Sequence, residues 1–335
     1  MPSSFDTQSG RRRFLKQSMG LAAPALIGLP SRAAAEPPPE TRTIRLEDFP
    51  AICLAPQLLA EELLHAEGFT QVEYARSVAN IVSEDQYDLT MITAPALIAS
   101  QDRSTSFVAI AGVHAGCQEL FGNERVPAIR HLKGKSVAIS ALGAGEHVFV
   151  SSVAAYVGID PKRDIDWVVA GSSKDALKRF VEGKADAFLG FEPQPHELRA
   201  RSIGQVILNT SEDRPWSQYF CCMLAARREF TQRYPIATKR ALRALMKATD
   251  LCAQQPEHAA RHLVERGHEP RYDVALRVLQ RLPFDRWRDT NPEDTLRFYA
   301  LRLHEGGVIQ TSPNRLIAHS TDWRFLNELK RELKS

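Results

Sequence analysis

A glycine-containing turn, Gly143–His147, has residue types that suit the binding of an anionic group. It falls between a predicted strand, Ser136–Ser140, and a predicted helix that runs to about Val157. The first N–H groups of a helix have no partner within it, and the helix dipole is positive at that end. Glu146 in the first turn argues against a bare anion such as nitrate, whereas His147 is a candidate donor to a carboxylate or sulfonate. Either side chain can instead satisfy the helix terminus or lie at the surface.

Two later segments combine aromatic and charged side chains. Glu192 can accept hydrogen bonds from an amine or amidine, and the neighbouring Phe191 can stack on a flat ligand. Arg214 can pair with an acid group, with Trp216 and Tyr219 as aromatic walls. Packing at Phe191 and a solvated loop around Arg214 are the structural alternatives. Together these residues favour an organic, aromatic or amphoteric ligand over an inorganic ion.

The usual signatures of catalysis and of metal binding do not occur in the sequence. We find no G-x-S-x-G, H-E-x-x-H or P-loop pattern, and His258 and His262 share a helix face without a third ligand near them. The odd number of cysteines has no C-x-x-C spacing, and the adjacent Cys221-Cys222 pair lies in an apolar run that indicates core packing. The sequence therefore predicts no catalytic residue, metal or cofactor. The cysteines are Cys53, Cys117, Cys221, Cys222 and Cys252.

Short strands alternate with amphipathic helices along most of the chain, which predicts an α/β fold with parallel strands. After Tyr234-Pro235 the pattern becomes largely helical. The predicted strands are Thr43–Glu47, Val72–Ala75, Asp88–Thr93, Phe107–Val113, Ser136–Ser140, Asp166–Ala170, Ala185–Phe191 and Gln205–Leu208. The predicted helices include Ala55–Glu67, Lys174–Glu182 with Ser172 as its N-cap, Ala237–Gln254, Pro256–Arg266, Tyr272–Arg281, Pro292–Glu305 and Trp323–Leu333.

Composition and charge describe a globular chain with an unusual N-terminus. The 335 residues are 44% hydrophobic and 25% charged, and their number suggests two domains. The formal net charge is +3, but residues 1–35 carry +4 and the remainder about −1. The body of the protein therefore offers no electrostatic case for nucleic-acid binding.

Residues 1–35 are predicted to be a twin-arginine-type export signal. The run Arg11–Lys16 is followed by an apolar stretch and by Ala33-Ala34-Ala35, which suits cleavage, although Gly10 stands where Ser or Thr is usual. Residues 36–41 form a proline-rich linker. No later segment is apolar for long enough to span a bilayer, so we expect a soluble periplasmic protein.

Six motifs in order give the chain a family resemblance from about Arg42 to Glu265. They are Leu132–Ala138, the turn Gly143–His147, Gly158–Pro161, Glu182–Ala187, Phe191-Glu192-Pro193 and Arg233-Tyr234-Pro235. Together they resemble the periplasmic solute-binding proteins of ABC transporters for nitrate, sulfonates, taurine and thiamine-precursor pyrimidines.

The resemblance implies a two-lobed clamshell of type II, with two α/β lobes joined by two crossover strands. Lobe one would comprise residues 42–122 and 215–335, and lobe two residues 123–214. Such a protein captures a small-molecule ligand, here a sulfonate, another organic or aromatic acid, or a pyrimidine-like solute. It delivers the ligand to an ABC transporter permease, catalyses no reaction, and is expected to be a monomer.

The resemblance also places further residues in the cleft, because they follow strands at the ends that face it. Thr93 would offer a hydroxyl there, and Gly116 would lie in a ligand loop. The complete predicted ligand-binding set is Pro56, Thr93, Ala94, His114, Gly116, Gly143, Ala144, Gly145, Glu146, His147, Phe191, Glu192, Arg214, Trp216 and Tyr219. His114 has the alternative of an ordinary buried or surface histidine, and Thr93 that of strand-to-helix punctuation.

Two other functions fit the same fold. One is an enzyme similar to the thiamine-precursor pyrimidine synthases, whose cysteine-rich motif is only faintly matched by Phe220-Cys221-Cys222. An export signal also fits poorly with cytosolic biosynthesis. The other is a binding protein that reports a ligand to a membrane receptor, which the sequence does not separate from transport.

Overall fold

The structure, a computed structural model, describes residues 36–49, 51–76 and 86–332. The predicted export signal lies outside the described residues. Pro38–Ser335 forms one compact unit. None of its described helices is long and apolar enough to cross a membrane.

Ten strands form two five-stranded sheets. They are β1 Thr43–Asp48, β2 Gln71–Arg76, β3 Leu89–Thr93, β4 Phe107–Ala115, β5 Gln118–Gly122, β6 Lys135–Ile139, β7 Ile165–Val169, β8 Ala187–Phe191, β9 Gln205–Asn209 and β10 Phe220–Arg227. The sheet orders are β2-β1-β3-β10-β4 and β7-β6-β8-β5-β9. In each sheet one strand contributed by a crossover runs antiparallel to its neighbours, namely β10 in the first sheet and β5 in the second.

The helices that accompany the sheets are α1 Ala55–Leu58, α2 Glu61–Ala66, α3 Ala94–Arg103, α4 Gly145–Tyr156, α5 Ser173–Val181, α6 Gln194–Ala200, α7 Arg228–Arg233, α8 Pro235–Gln254, α9 Pro256–Glu265, α10 Tyr272–Arg281, α11 Pro292–Glu305, α12 Pro313–Ser320 and α13 Arg324–Glu332. We call the first sheet with α1–α3 and α7–α13 lobe one, and the second sheet with α4–α6 lobe two. Two α/β lobes joined by two crossovers confirm the predicted fold class.

The chain passes from lobe one to lobe two between β4 and β5. The expected division placed residues up to 122 in lobe one, whereas Gln118–Gly122 pairs with β8 and β9 of the second sheet. The return connection runs from the end of β9 to the start of β10. Both crossings meet at Thr210, whose Oγ1 accepts the N–H groups of Cys117 and Gln118 at 3.1 and 3.0 Å.

Local sequence signals explain several element boundaries. Ser172 caps α5 as predicted, because its Oγ accepts the N–H of Asp175 at 3.1 Å. At the start of α8, the carboxylate of Glu40 accepts hydrogen bonds from the N–H groups of Ile236 and Ala237 at 2.9 and 2.8 Å. An anionic group there also complements the helix dipole.

The prediction of a single helix over residues 55–67 was wrong, because the helix breaks at Leu59-Ala60, just after the anchored residue Gln57. Its buried side chain donates to the Glu47 carbonyl at 2.7 Å and accepts the Met91 N–H at 2.8 Å. The Tyr74 hydroxyl donates to the Gln57 carbonyl at 3.1 Å. Gln57 is thereby fixed to both β1 and β3, and the chain forms the two short helices α1 and α2 instead.

The main apolar core extends across both lobes. Helix α4 is buried on nearly all sides, with Val148, Phe149, Val150 and Val153 in the same cluster as the core of lobe one. It packs against α3 and α11 of lobe one. A smaller cluster that includes Phe180 and Phe188 covers the opposite face of the second sheet. The lobes are therefore held together by apolar packing through α4.

Candidate functional site

A small cavity lies where the strand ends of the two lobes meet. Its volume is about 20 Å³, enough for one water molecule. Lobe one contributes residues after β1, at the end of β3 and near the start of β10, and lobe two contributes the start of β5 and the end of β8. The lining residues are Phe49, Ala51, Cys53, Leu54, Thr93, Cys117, Gln118, Phe191 and Cys222.

Two buried oxygen atoms on residues that line this cavity lack a partner among the described residues. They are Thr93 Oγ1 and Gln118 Oε1, on residues that are 5% and 3% exposed. A buried polar atom without a hydrogen bond costs about 1–3 kcal/mol. Thr93 belongs to lobe one and Gln118 to lobe two, so one bound group could satisfy side chains from both lobes.

An aromatic pair spans the lobes beside the cavity. The ring centroids of Phe49 and Phe191 are 5.8 Å apart, and the rings are tilted by 55°. Phe191 is half-buried at the end of β8, where the sequence predicted an aromatic residue for a flat ligand. The pair leaves an apolar wall next to the unpartnered oxygens.

Cysteine side chains form the floor of the cavity. Cys53, Cys117, Cys222 and His114 are all buried, and their potential ligand atoms lie within 4.8 Å of one another. Cys221 adjoins this group, with its sulfur 2.6 Å from that of Cys117. The linear spacing predicted no such cluster, because its members come from three separate segments of the chain, with His114 and Cys117 in the same one.

His114 is fixed by backbone carbonyls. One ring nitrogen, Nε2, lies 3.1 Å from the Cys53 carbonyl, and Nδ1 lies 3.2 and 3.1 Å from the carbonyls of Ala115 and Gly116. The ring also packs edge-on against Phe284 at 5.0 Å. His114 is therefore fully buried in the strand, behind the cavity lining rather than at its surface.

The pKa values of the cysteines and of His114 shift in different directions. A hydrogen bond from Cys117 lowers the pKa of Cys221 to about 6, and a similar contact lowers the pKa of Cys222. Burial raises the pKa of Cys117 well above its usual range. Burial disfavours the charged form of His114, but the thiolate of Cys222 outweighs it and raises the pKa of His114. The site thus combines acidic thiols with a basic imidazole.

The polar groups of the Gly143–His147 turn find hydrogen-bond partners in the turn itself and in the neighbouring Ser140. Glu146 Oε1 accepts the Ser140 N–H at 2.6 Å and also the Ser140 hydroxyl. Gly143 N–H donates to His147 Nδ1 at 3.1 Å, and the imidazole packs edge-on against Trp167 at 4.5 Å. Burial lowers the pKa of His147 to about 4. Ala144 and Gly145 are buried at the start of α4.

Glu192 lies in a neighbouring pocket of about 200 Å³ on the other side of Cys117 and Gln118. Its Oε1 accepts from Arg199 Nη2 at 2.6 Å, and its Oε2 accepts the His196 N–H at 3.1 Å. Arg199 also pairs with Glu119. The carboxylate is therefore already paired by a cation.

Three predicted residues lie away from the cavity. Arg214 is exposed, and Trp216 is buried edge-on to Tyr156 of α4 at 5.2 Å. Tyr219 stacks on Phe298 at 4.3 Å and lines a separate open depression of about 620 Å³ with residues of α11. The structure thus does not bring the predicted aromatic walls to the cavity that holds Phe191.

The remaining predicted residues lie behind the cavity. Pro56 is buried in α1, and Ala94 is buried at the start of α3. Gly116 forms the first crossing. Of the predicted set, the structure brings Thr93 and Phe191 together at the cavity, with His114 immediately behind them.

Sequence reasoning omitted several residues of the cavity. Their shared signal is position, because Phe49 and Cys53 follow β1, Cys117 and Gln118 follow β4, and Cys222 lies near the start of β10. Ends of neighbouring strands converge at one edge of a sheet. A search of strand ends for chemically reactive side chains would have found the cysteines.

The architecture is the fold found in periplasmic binding proteins, as solved structures show. The periplasmic nitrate-binding protein NrtA from Synechocystis PCC 6803 aligns with a TM-score of 0.69 and 16% identity, covering 89% of this chain and 90% of that one. The alkanesulfonate-binding protein SsuA from Xanthomonas axonopodis pv. citri, bound to MOPS, aligns with a TM-score of 0.67 and 16% identity, covering 87% of this chain and 100% of that one. SsuA from Escherichia coli aligns with a TM-score of 0.64 and 16% identity, covering 83% of this chain and 91% of that one.

Residues 74–265, more than half of the chain, match the NMT1-like family. The chain therefore belongs to the NMT1-like family. A comparison with curated proteins found no match.

Proposed function

We propose that this chain is a periplasmic protein that captures one small solute between its lobes and delivers it to the permease of an ABC transporter. The observation that carries the proposal is that Thr93 of lobe one and Gln118 of lobe two line one cavity, and that Thr93 Oγ1 and Gln118 Oε1 are buried without a partner among the described residues. A ligand that bonds to both lobes stabilises the closed form relative to an open one.

The proposed solute is organic, as the sequence predicts, and its entry requires the lobes to part. A cavity of about 20 Å³ holds only a water-sized group, whereas the adjoining pocket of about 200 Å³ shares Cys117 and Gln118 with it. Parting the lobes would join these spaces beside Phe191. A flat organic group could then lie against the Phe49–Phe191 pair.

The test is a thermal-shift screen of the full chain with sulfonates, aromatic acids, pyrimidines and nitrate, followed by calorimetry on each compound that raises Tm. We expect one organic class to bind with a stoichiometry of one. Thr93→Val and Phe191→Ala should each weaken binding by about tenfold, which is the loss of about 1.4 kcal/mol.

Matched control variants distinguish the cavity from the rest of the surface. Thr105→Val removes an exposed hydroxyl, and Tyr219→Phe changes an aromatic residue that lines the separate depression. Both should bind the solute as the unsubstituted chain does. Binding of nitrate alone would contradict the proposal that the solute is organic. Equal losses of affinity in the control variants would contradict the proposal that it binds at this cavity.

A further inference from the structure

We propose that Cys53, His114, Cys117 and Cys222 bind one thiophilic metal ion, and that Zn²⁺ is the ion that this ligand set matches best. Three thiolates and one imidazole are a common tetrahedral set for structural zinc. All four residues are buried, and their potential ligand atoms lie within 4.8 Å of one another. The inference goes beyond solute capture, because an ion held by four protein side chains would bind whether or not a solute is delivered.

The distances need only a small contraction to suit a zinc ion. Zinc–sulfur bonds of about 2.3 Å and a zinc–nitrogen bond of about 2.0 Å place tetrahedral ligand atoms about 3.5–3.8 Å apart. No separation in the group exceeds 4.8 Å. Side-chain rotations can supply a contraction of about 1 Å without moving the strands.

The backbone fixes the ligands from several directions. His114 and Cys222 are direct partners in the antiparallel pairing of β4 with β10. Cys117 follows β4 at the first crossing, where its N–H is held by Thr210. Cys53 lies in the turn Ile52–Leu54 after β1, so the set is positioned by the sheet edge itself.

His114 also has the outer contacts that a metal-bound histidine needs. Carbonyl oxygens lie near both of its ring nitrogens, at 3.1–3.2 Å. A neutral imidazole donates from one nitrogen only, so the other nitrogen has to turn from its carbonyl neighbour before its lone pair can reach an ion. A ligating histidine usually donates its remaining N–H to a carbonyl or carboxylate, and carbonyls are available here at either nitrogen.

The Thr93 and Gln118 oxygens, which lack a partner among the described residues and on which the proposed solute capture also rests, lie on residues of the same cavity. The residues Thr93 and Gln118 line the same cavity as the three cysteines, and their orphaned atoms are buried. The Thr93 hydroxyl can donate to a metal-bound thiolate, which retains negative charge. Zinc binding would displace the thiol protons to solvent, leaving three thiolates and the ion with a net charge of −1.

The test uses the full chain, reduced with a phosphine and stripped of metal, titrated with Zn²⁺ alone against a chromophoric chelator. We expect one Zn²⁺ per chain and an X-ray absorption spectrum with three sulfur ligands and one nitrogen ligand. Cys53→Ser, Cys117→Ser and Cys222→Ser should each weaken binding by about tenfold or more. The matched control is Cys252→Ser, a buried cysteine in α8 outside the cluster, which should bind normally.

Several results would overturn the proposal. The proposal fails if the chain does not bind zinc. It also fails if Cys252→Ser weakens zinc binding as much as Cys53→Ser does. A disulfide between Cys117 and Cys221 that survives the reductant would remove one ligand and also contradict it. If the serine variants fail to fold, the test is made on the unsubstituted chain with Co²⁺ in place of Zn²⁺. The absence of a thiolate-to-cobalt charge-transfer band then contradicts the proposal. Solute binding measured on the metal-free chain keeps this outcome separate from that of the proposed function.

Discussion

The backbone of Gly116 passes Ser211 with no space for a side chain between them. A Cβ at Gly116 would lie 2.3 Å from Ser211 Oγ and 2.6 Å from Ser211 Cα. Gly116 also has a φ of +59°, which side chains with a Cβ rarely adopt. The two crossings between the lobes are therefore in backbone contact at this point, and Thr210 fastens them together just beside it.

Gly116→Ala should destabilise the protein by about 2–4 kcal/mol, because it combines a left-handed backbone with a steric clash. The measurement is urea unfolding followed by circular dichroism. Gly134→Ala is the matched control, since Gly134 has a φ of +71° but nothing within 4 Å of its hypothetical Cβ. Its expected cost is about 1 kcal/mol. Equal losses in the two variants would show that the contact with Ser211 carries no energetic weight.

His147 should titrate with a pKa of about 4, because burial disfavours its charged form. An NMR titration of labelled histidine should also find the proton on Nε2, since Nδ1 accepts the Gly143 N–H. The unfolded chain binds this proton near pH 6.5. Stability should therefore decrease as the pH falls from about 6.5 towards 4, and His147→Gln should reduce that decrease. A normal histidine titration near 6.5 would contradict the burial argument.

Much of the fold follows from local sequence signals, and the exceptions have long-range causes. The cap at Ser172 and the prolines that begin α8 and α11 mark helix starts because each acts within one helical turn. Strand β5 was not predicted, since its pairing with β8 joins residues far apart in the chain. The break at Leu59-Ala60 likewise follows a residue, Gln57, that is held by contacts with β1 and β3.

The candidate site was less predictable for the same reason. The family resemblance, together with their positions at strand ends, selected Thr93 and Phe191, which both line one cavity. The cysteine cluster depends on sheet order, because Cys53, Cys117 and Cys222 come from three segments that only the folded sheet joins. Residue type gave no warning that Glu146 would bond to Ser140, since a carboxylate in a first helical turn suits a ligand or a terminus equally.

Phe149→Ala should weaken the packing between the lobes. Phe149 is buried on α4 with its ring centroid 6.1 Å from that of Tyr299 in α11. Removing a buried phenyl ring costs about 3–5 kcal/mol. We expect a corresponding loss in chemical unfolding and a larger radius of gyration by X-ray scattering, as the lobes separate more often. Val157→Ala, at the exposed end of α4, is the control and should change neither quantity.

The buried carboxylate of Glu67 should make the stability of lobe one sensitive to acid. Arg243 Nη2 lies 2.8 Å from its Oε2, and Lys247 Nζ lies 2.9 Å from its Oε1, both from α8. Burial alone would raise the pKa of Glu67, but the hydrogen bonds and charges of these two residues outweigh it and lower the pKa.

A lowered carboxyl pKa means that the folded state releases this proton more readily than the unfolded state does. The resulting stability is fully present above the unfolded pKa, about 4.3, and is lost as the pH falls through the lower folded value. Glu67→Gln should cost about 2 kcal/mol at pH 7 and progressively less as the pH falls below the unfolded pKa, because the unfolded unsubstituted chain then takes up the proton and the advantage of the folded carboxylate is lost. Urea unfolding of both proteins between pH 7 and pH 3, by about one pH unit per step, measures how their free energies of unfolding converge.

Glu62→Gln is the matched control, because Glu62 is an exposed glutamate of α2, close in sequence to Glu67. A constant difference between Glu67→Gln and the unsubstituted chain across that range would show that the pairing with α8 does not depend on the charge of Glu67.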